Sequence, residues 1–224
     1  MINPLLDWNK IDTVLLDMDG TLLDLHFDNH FWFDHLPSHY AQRHSMSFED
    51  AQSQLHAQIM AKRGTIEWYC LDYWADRLDV DIMGLKDEIV DRIAIRPHVH
   101  TFLQALQQAG KPAWLVTNSH RKGLDLKLVH TDIGQYFERI VVSHDYKAAK
   151  EDQHFWQAMQ EEHPFMPAQS VFIDDSEAVL DSAKRFGIGH LITISQPDSK
   201  KEVRTDLRYA AINTFDELLP IGLS

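Results

Sequence analysis

The stretch Val14-Leu15-Leu16-Asp17-Met18-Asp19-Gly20-Thr21-Leu22 sets an unbroken aliphatic run against two carboxylates spaced one residue apart. Val14, Leu15 and Leu16 show no polar alternation, which suits a parallel strand covered on both faces. Gly20 breaks the strand, so Asp17 and Asp19 are expected at its C-terminal end, where open α/β sheets bind ligands. Residues two apart in an extended chain point the same way. Two like charges held that close are costly unless a cation lies between them or one carries a proton. The segment therefore requires a metal site, an acid–base pair, or both.

A second run of the same kind, Val171-Phe172-Ile173-Asp174-Asp175-Ser176, also ends in paired acids. Adjacent carboxylates at a buried edge again point to a cation. Around and between these runs the pattern alternates. Helices are expected over 98–109, ended by Gly110 and Pro112, and over 120–131 with Ser119 as N-cap. Further helices are expected over 151–163, after Ser176, and near Thr214. Strands are expected over 113–117, 139–143, 170–174 and 190–194. Strands alternating with helices give a parallel sheet with helices on both faces. One spacing departs from this. From Leu16 to Ala113 the chain is far longer than the roughly 30 residues of a strand–helix–strand unit, and the surplus is helical in pattern. Ser47-Phe48-Glu49-Asp50 resembles a capping box before Ala51, Leu55, Ile59 and Met60. Ile66, Tyr69, Cys70, Tyr73, Trp74 and Leu78 form a second stripe, and Leu85, Ile89, Val90 and Ile93 a third. The expected architecture is a three-layer, Rossmann-like α/β core built from 1–25 and 96–224. An all-helical cap over 26–95 is inserted after the first strand.

A chain of 224 residues, 44% hydrophobic and 25% charged, suits one such core with an insert. The net charge of −13 opposes nucleic-acid and anionic-membrane binding, which need a basic face. No apolar run is long enough to span a bilayer, and the N-terminus lacks a basic-then-apolar leader pattern. The single cysteine, Cys70, excludes an internal disulfide framework, fits a reducing cytoplasm, and reads as a small buried hydrophobe. The 14 histidines show no metalloprotease or zinc-finger spacing and read mostly as surface residues. Nothing specifies an oligomeric state.

Thr117-Asn118-Ser119 follows a strand and opens a helix, so a hydroxyl and backbone N–H groups form a ready anion site. Lys147 and Lys150 precede the next helix. Taken in order, Asp17-Met18-Asp19-Gly20-Thr21-Leu22, Thr117-Asn118-Ser119, Lys150-Glu151-Asp152 and Asp174-Asp175-Ser176 resemble the four motifs of the haloacid dehalogenase-like phosphohydrolases. Glu151 stands where the family usually has proline or a small residue. The resemblance implies a phosphomonoester hydrolase in which Asp17 takes the phosphoryl group and Asp19 is the acid and base. It implies Mg²⁺ held by Asp17, the Asp19 backbone carbonyl and Asp174, with Asp175 orienting a metal-bound water or Lys150. Thr117, Asn118 and Lys150 would bind phosphoryl oxygens. Leu25-His26-Phe27-Asp28-Asn29-His30-Phe31-Trp32 and Ile66-Glu67-Trp68-Tyr69-Cys70-Leu71-Asp72-Tyr73-Trp74 look like the bacterial GMP/IMP 5′-nucleotidase branch. They make a purine mononucleotide the expected small-molecule partner, with His26, Asp28, Asn29, His30 and Trp68 as candidate contacts. A sugar-phosphate phosphatase, a phosphomutase and a non-catalytic phosphometabolite-binding module are the alternatives.

Overall fold

The computed structural model describes residues 5–222; residues 1–4 and the leader-free pattern read from them lie outside this range. Six parallel strands, β1 (Thr13–Leu16), β2 (Ala113–Thr117), β3 (Arg139–Val142), β4 (Ser170–Ile173), β5 (His190–Ile194) and β6 (Ala210–Ile212), form one sheet. Their order is β3-β2-β1-β4-β5-β6. In β1, Val14 and Leu16 pack into one apolar layer and Leu15 into the other. In β4, Val171 and Ile173 oppose Phe172 in the same way. Both strands are buried on both faces, which explains their unbroken aliphatic composition.

Between β1 and β2 run α1 (His26–His30), α2 (Leu36–His44), α3 (Phe48–Met60), α4 (Ile66–Tyr69), α5 (Leu71–Leu78) and α6 (Ile82–Asp87). These helices bury Phe27, Phe31, Leu55, Trp74 and Leu78 in an apolar cluster of their own. The Ser47 hydroxyl accepts the Asp50 N–H at 3.1 Å, so the expected cap at the start of α3 is formed. The second stripe is not one helix: Cys70 is extended, with φ −84° and ψ 105°, and separates α4 from α5. The third stripe closes as short α6 and a 3₁₀ turn at Val90–Arg92. Phe31–His35 is a π-helical turn joining α1 to α2. The chain leaves and re-enters the sheet layer side by side, because Leu23 and Ile95 form an antiparallel bridge. At the return, the Arg96 guanidinium donates to the carbonyls of Gln196 (2.5 Å) and Asn213 (2.8 Å).

The sheet is covered by α7 (Val99–Gln108) and α8 (Arg121–Thr131) on one face, and by α9 (Gln153–Glu162) and α10 (Glu177–Phe186) on the other. The N-cap of α8 is His120, not Ser119 as its residue type suggested, because the Ser119 N–H turns back to the Thr117 hydroxyl at 2.9 Å. The short helix near Thr214 is a 3₁₀ turn at Phe215–Leu218 carrying a capping box. β6 had no visible sequence pattern, being three residues at a sheet edge. No helix among the described residues is long and apolar enough to cross a membrane.

Candidate active site

In this strand order the connections diverge between β1 and β4, and a crevice opens beyond the carboxyl ends of those two strands. Asp17 follows β1 and Asp174 follows β4, so neighbouring strands deliver both acids to one place. Gly20 makes the turn after β1 with φ +82°, a conformation most side chains disfavour. A Cβ there would lie 2.7 Å from Asp175 Cγ, so glycine also makes room for the second acidic pair. The Thr21 hydroxyl accepts the Asp175 N–H at 3.1 Å, locking the two strand ends together.

One carboxylate oxygen each from Asp17, Asp174 and Asp175 lies within 4.8 Å of the other two. Lys150 lies among them: its Nζ donates to Asp17 Oδ1 at 2.6 Å, Asp174 Oδ2 at 2.7 Å and the Val116 carbonyl at 3.0 Å. Of the two candidate lysines, it is Lys150 that enters the cluster. Burial raises the Asp17 carboxyl to about 6 against the pull of Lys150, with Asp174 adding to the rise. Burial likewise raises Asp174 and, more strongly, Asp175, where Asp174 and Asp17 add repulsion. Lys150, with the Arg204 guanidinium beside Asp175, thus faces three crowded carboxylates, which leaves one negative charge in excess when all three are ionised.

Asp19 takes a separate partner. Lys127 Nζ bridges Asp19 Oδ1 and Asp28 Oδ2, each at 2.6 Å, and Lys86 donates to Asp28 Oδ1 at 3.0 Å. Burial raises Asp19 to about 6, opposed by Lys127 and reinforced by Asp28 and Asp17. At Asp28 burial acts upward, but Lys127 and Lys86 outweigh it and hold the carboxyl well below its usual range. Lys86 Nζ also sits 4.3 Å from the centre of the Phe31 ring, a cation–π contact.

The acids open into a cavity of about 590 Å³ between the sheet and the helical insertion, within the usual range for small-molecule sites. Thr117 and Asn118 line it. Thr117 Oγ1 accepts from Ser119 and keeps its own hydrogen free. Asn118 Oδ1 accepts the Lys150 N–H at 2.9 Å, and Nδ2 donates to Glu151 Oε2 at 3.0 Å and toward the Tyr69 hydroxyl oxygen. Glu151 Oε1 accepts the Tyr69 hydroxyl of the insertion at 2.7 Å. The residue that departs from the family pattern therefore joins the insertion to the site.

Asp28, Asn29 and Trp68 line the cavity, as does Trp32. His26 and His30 do not; they lie 3.5 Å from Asp198 and 3.3 Å from Asp34. Asn29 donates to Asp198 at 2.7 Å. Sequence reasoning missed Lys127 and Lys86. A signal existed: each occupies a core-facing helical position, beside Gly123, Leu124 and Thr131 in α8 and beside Ile82 and Leu85 in α6. A lysine there must find carboxylates.

The Asp17, Asp174 and Asp175 cluster fits a hard divalent cation, since the donors are all oxygen and their charge exceeds what Lys150 offsets. With Lys127 on Asp19, the arrangement provides an anchored carboxylate, a second carboxyl of raised pKa, and donors for an anion between them.

Over 213 residues the chain is 38% identical to the GMP/IMP nucleotidase YrfG of Escherichia coli K12, covering 95% of this chain and 96% of that protein. In fold it is similar to a HAD phosphatase from Thermococcus onnurineus (TM-score 0.75, 21% identity, 93% and 96% of the two chains). It is also similar to the L-2-haloacid dehalogenase of Xanthobacter autotrophicus (TM-score 0.61, 15% identity, 93% and 96%). The family model of the haloacid dehalogenase-like hydrolases matches residues 11–187, and with the 38% identity to YrfG this places the chain in that family.

Proposed function

We propose that this hydrolase removes phosphate from purine nucleoside 5′-monophosphates of the GMP/IMP class by way of a phosphoryl-aspartate at position 17. The observation that carries the reading is the division of labour between the first two aspartates: Asp17 is held by Lys150, and Asp19, on Lys127, stands apart from the acidic cluster.

The steps follow from the residues. With its carboxyl at about 6, Asp17 is mostly ionised at neutral pH, and Lys150 aims one oxygen of it. That oxygen attacks phosphorus as the bond to the nucleoside O5′ breaks. The free hydroxyl of Thr117, the Asn118 amide and the Lys150 ammonium are placed for the equatorial oxygens, where transition-state charge spreads. Asp19 gives its proton to the departing alkoxide, then takes one from the water that cleaves the phosphoryl-aspartate; a group at about 6 suits both directions. A bound Mg²⁺, held by Asp17, Asp174 and the Asp19 backbone carbonyl, would neutralise phosphoryl charge, with Asp175 orienting a bound water. Trp68 and Trp32, on the insertion side of the cavity, offer faces for a purine, and stacking of this sort contributes about 1–3 kcal/mol per base. The substrate class rests on similarity to YrfG over nearly the whole chain.

Asp19 also separates this reading from dehalogenation, because a halide leaves without a proton. The test is a panel of phosphate esters with Mg²⁺. Phosphate release from IMP or GMP, abolished by EDTA and reduced at least about a thousandfold in Asp17→Asn, is expected from loss of a covalent nucleophile. Full activity in that variant overturns the mechanism. Preference for a sugar phosphate, or its isomerisation, overturns the substrate class alone.

A further inference from the structure

Cys70, His120 and His144 meet where the helical insertion touches the sheet, outside the acidic cluster but at the edge of the same cavity, which His120 lines. Each offers one ligand atom within 4.8 Å of the other two. Cys70 occupies the extended break between α4 and α5, His120 is the N-cap of α8, and His144 follows β3. The two imidazoles cross edge to face with centres 5.0 Å apart. A further observation points to a ligand: His120 Nδ1 and His144 Nε2 are buried and have no hydrogen-bond partner in the fold. Orphaned buried polar atoms are rare and costly, and each one calls for an explanation.

The rest of the arrangement supplies one. His120 Nε2 lies 3.6 Å from Asp72 Oδ2, and Asp72 is itself held by Lys122 at 2.6 Å. At that distance the carboxylate acts by its charge, favouring the proton on the outer nitrogen and leaving the lone pair of the other one facing inward, and a modest closure would make it the partner seen behind metal-bound histidines. The His144 ring interacts with the backbone at Asn118 and Tyr69. One sulfur and two imidazole nitrogens are a soft donor set, unlike the oxygen cluster at Asp17.

We propose that Cys70, His120 and His144 form a binding site for a thiophilic divalent cation of the Zn²⁺ class, which clips the insertion onto the sheet. Tetrahedral Zn²⁺ bonds of about 2.0–2.3 Å set ligand atoms about 3.3–3.8 Å apart, so small side-chain rotations close the present spacing. Binding converts the Cys70 thiol to thiolate and releases its proton to solvent; water takes the fourth position. Asp72 is a positioning residue acting through His120. Because Asn118 lies two residues from His120 and Tyr69 adjoins Cys70, the clip fixes the insertion beside the phosphate-binding loop and slows turnover.

The test uses the full-length protein in excess Mg²⁺, titrated with Co²⁺ as a spectroscopic stand-in and then with Zn²⁺. A thiolate-to-cobalt charge-transfer band that Zn²⁺ displaces one for one is expected. Cys70→Ser should abolish the band, and His144→Gln should weaken Zn²⁺ at least about a hundredfold, given that even a residue behind a ligand is worth about 10–100-fold. Asp72→Asn should weaken it about tenfold. Asp174→Asn should leave the band intact. Absence of a thiolate band in the wild type, an unchanged Zn²⁺ affinity in His144→Gln, or loss of the signal in Asp174→Asn alone overturns the assignment. Zn²⁺ at saturating Mg²⁺ should lower kcat in the wild type and not in Cys70→Ser; inhibition that persists in Cys70→Ser removes the clip.

Discussion

Lys127 balances two carboxylates from different parts of the fold, Asp19 after β1 and Asp28 in α1. Removing one partner of a buried ion pair leaves the other charged and alone, at a cost of about 3–5 kcal/mol. Lys127→Met should therefore lower stability by about that amount in chemical denaturation, and reduce kcat with IMP or GMP by more than tenfold. Asp19 makes a sharper prediction. Its carboxyl, raised to about 6, gives up its proton as pH climbs through that value, so kcat/KM for a nucleotide should fall on the alkaline side. Asp17 must be ionised to attack, so activity should fall on the acid side as well, at lower pH as Mg²⁺ is raised, since a cation on the carboxylate favours its charged form. With an aryl phosphate, whose leaving group needs no proton, the alkaline limb should disappear. In Asp19→Asn, kcat/KM for that ester should be spared far more than for a nucleotide, while hydrolysis of the phosphoryl-aspartate slows for both. The aspartates were legible because acids interrupt apolar runs. Lys127 and Lys86 were legible only in part: their core-facing helical positions are visible, but lysine in a helix is ordinarily solvated, and only a partner brought from another part of the chain explains its burial.

Elements were legible wherever a pattern had room to repeat. β1 and β4 show it best, since burial on both faces leaves every position apolar. The pattern failed at breaks: Ile66 to Leu78 reads as one stripe, but extended Cys70 divides it and aims α4 at the core through Tyr69 and Glu151. β6 escaped notice because three edge residues offer too little periodicity. Capping was read correctly at α3, and Ser47→Ala should cost about 1 kcal/mol in denaturant titration. The same change should leave KM and kcat untouched, since Ser47 lines no part of the cavity.

At the scale of the molecule, a net charge of −13 and an anionic substrate coexist because the lysines that matter are buried beside the acids they offset. Stability should carry a histidine signature. Burial and His120 depress His144 to about 4 from an ordinary 6.5, so the folded protein binds that proton more weakly than the unfolded chain. The stability is therefore fully present above about 6.5 and is lost as pH falls from 6.5 through 4. The Tm should decline across that window, and less steeply in His144→Gln. The paired exit and entry at Leu23 and Ile95 has its own consequence. Joined to the sheet by neighbouring threads, the helical unit enters and leaves the core at one corner, while Tyr69 on Glu151, Lys127 on Asp28 and Asn29 on Asp198 tie it down beyond that corner. Opening the cavity then has to break those ties while the paired threads hold, so both ends of the insertion must travel together.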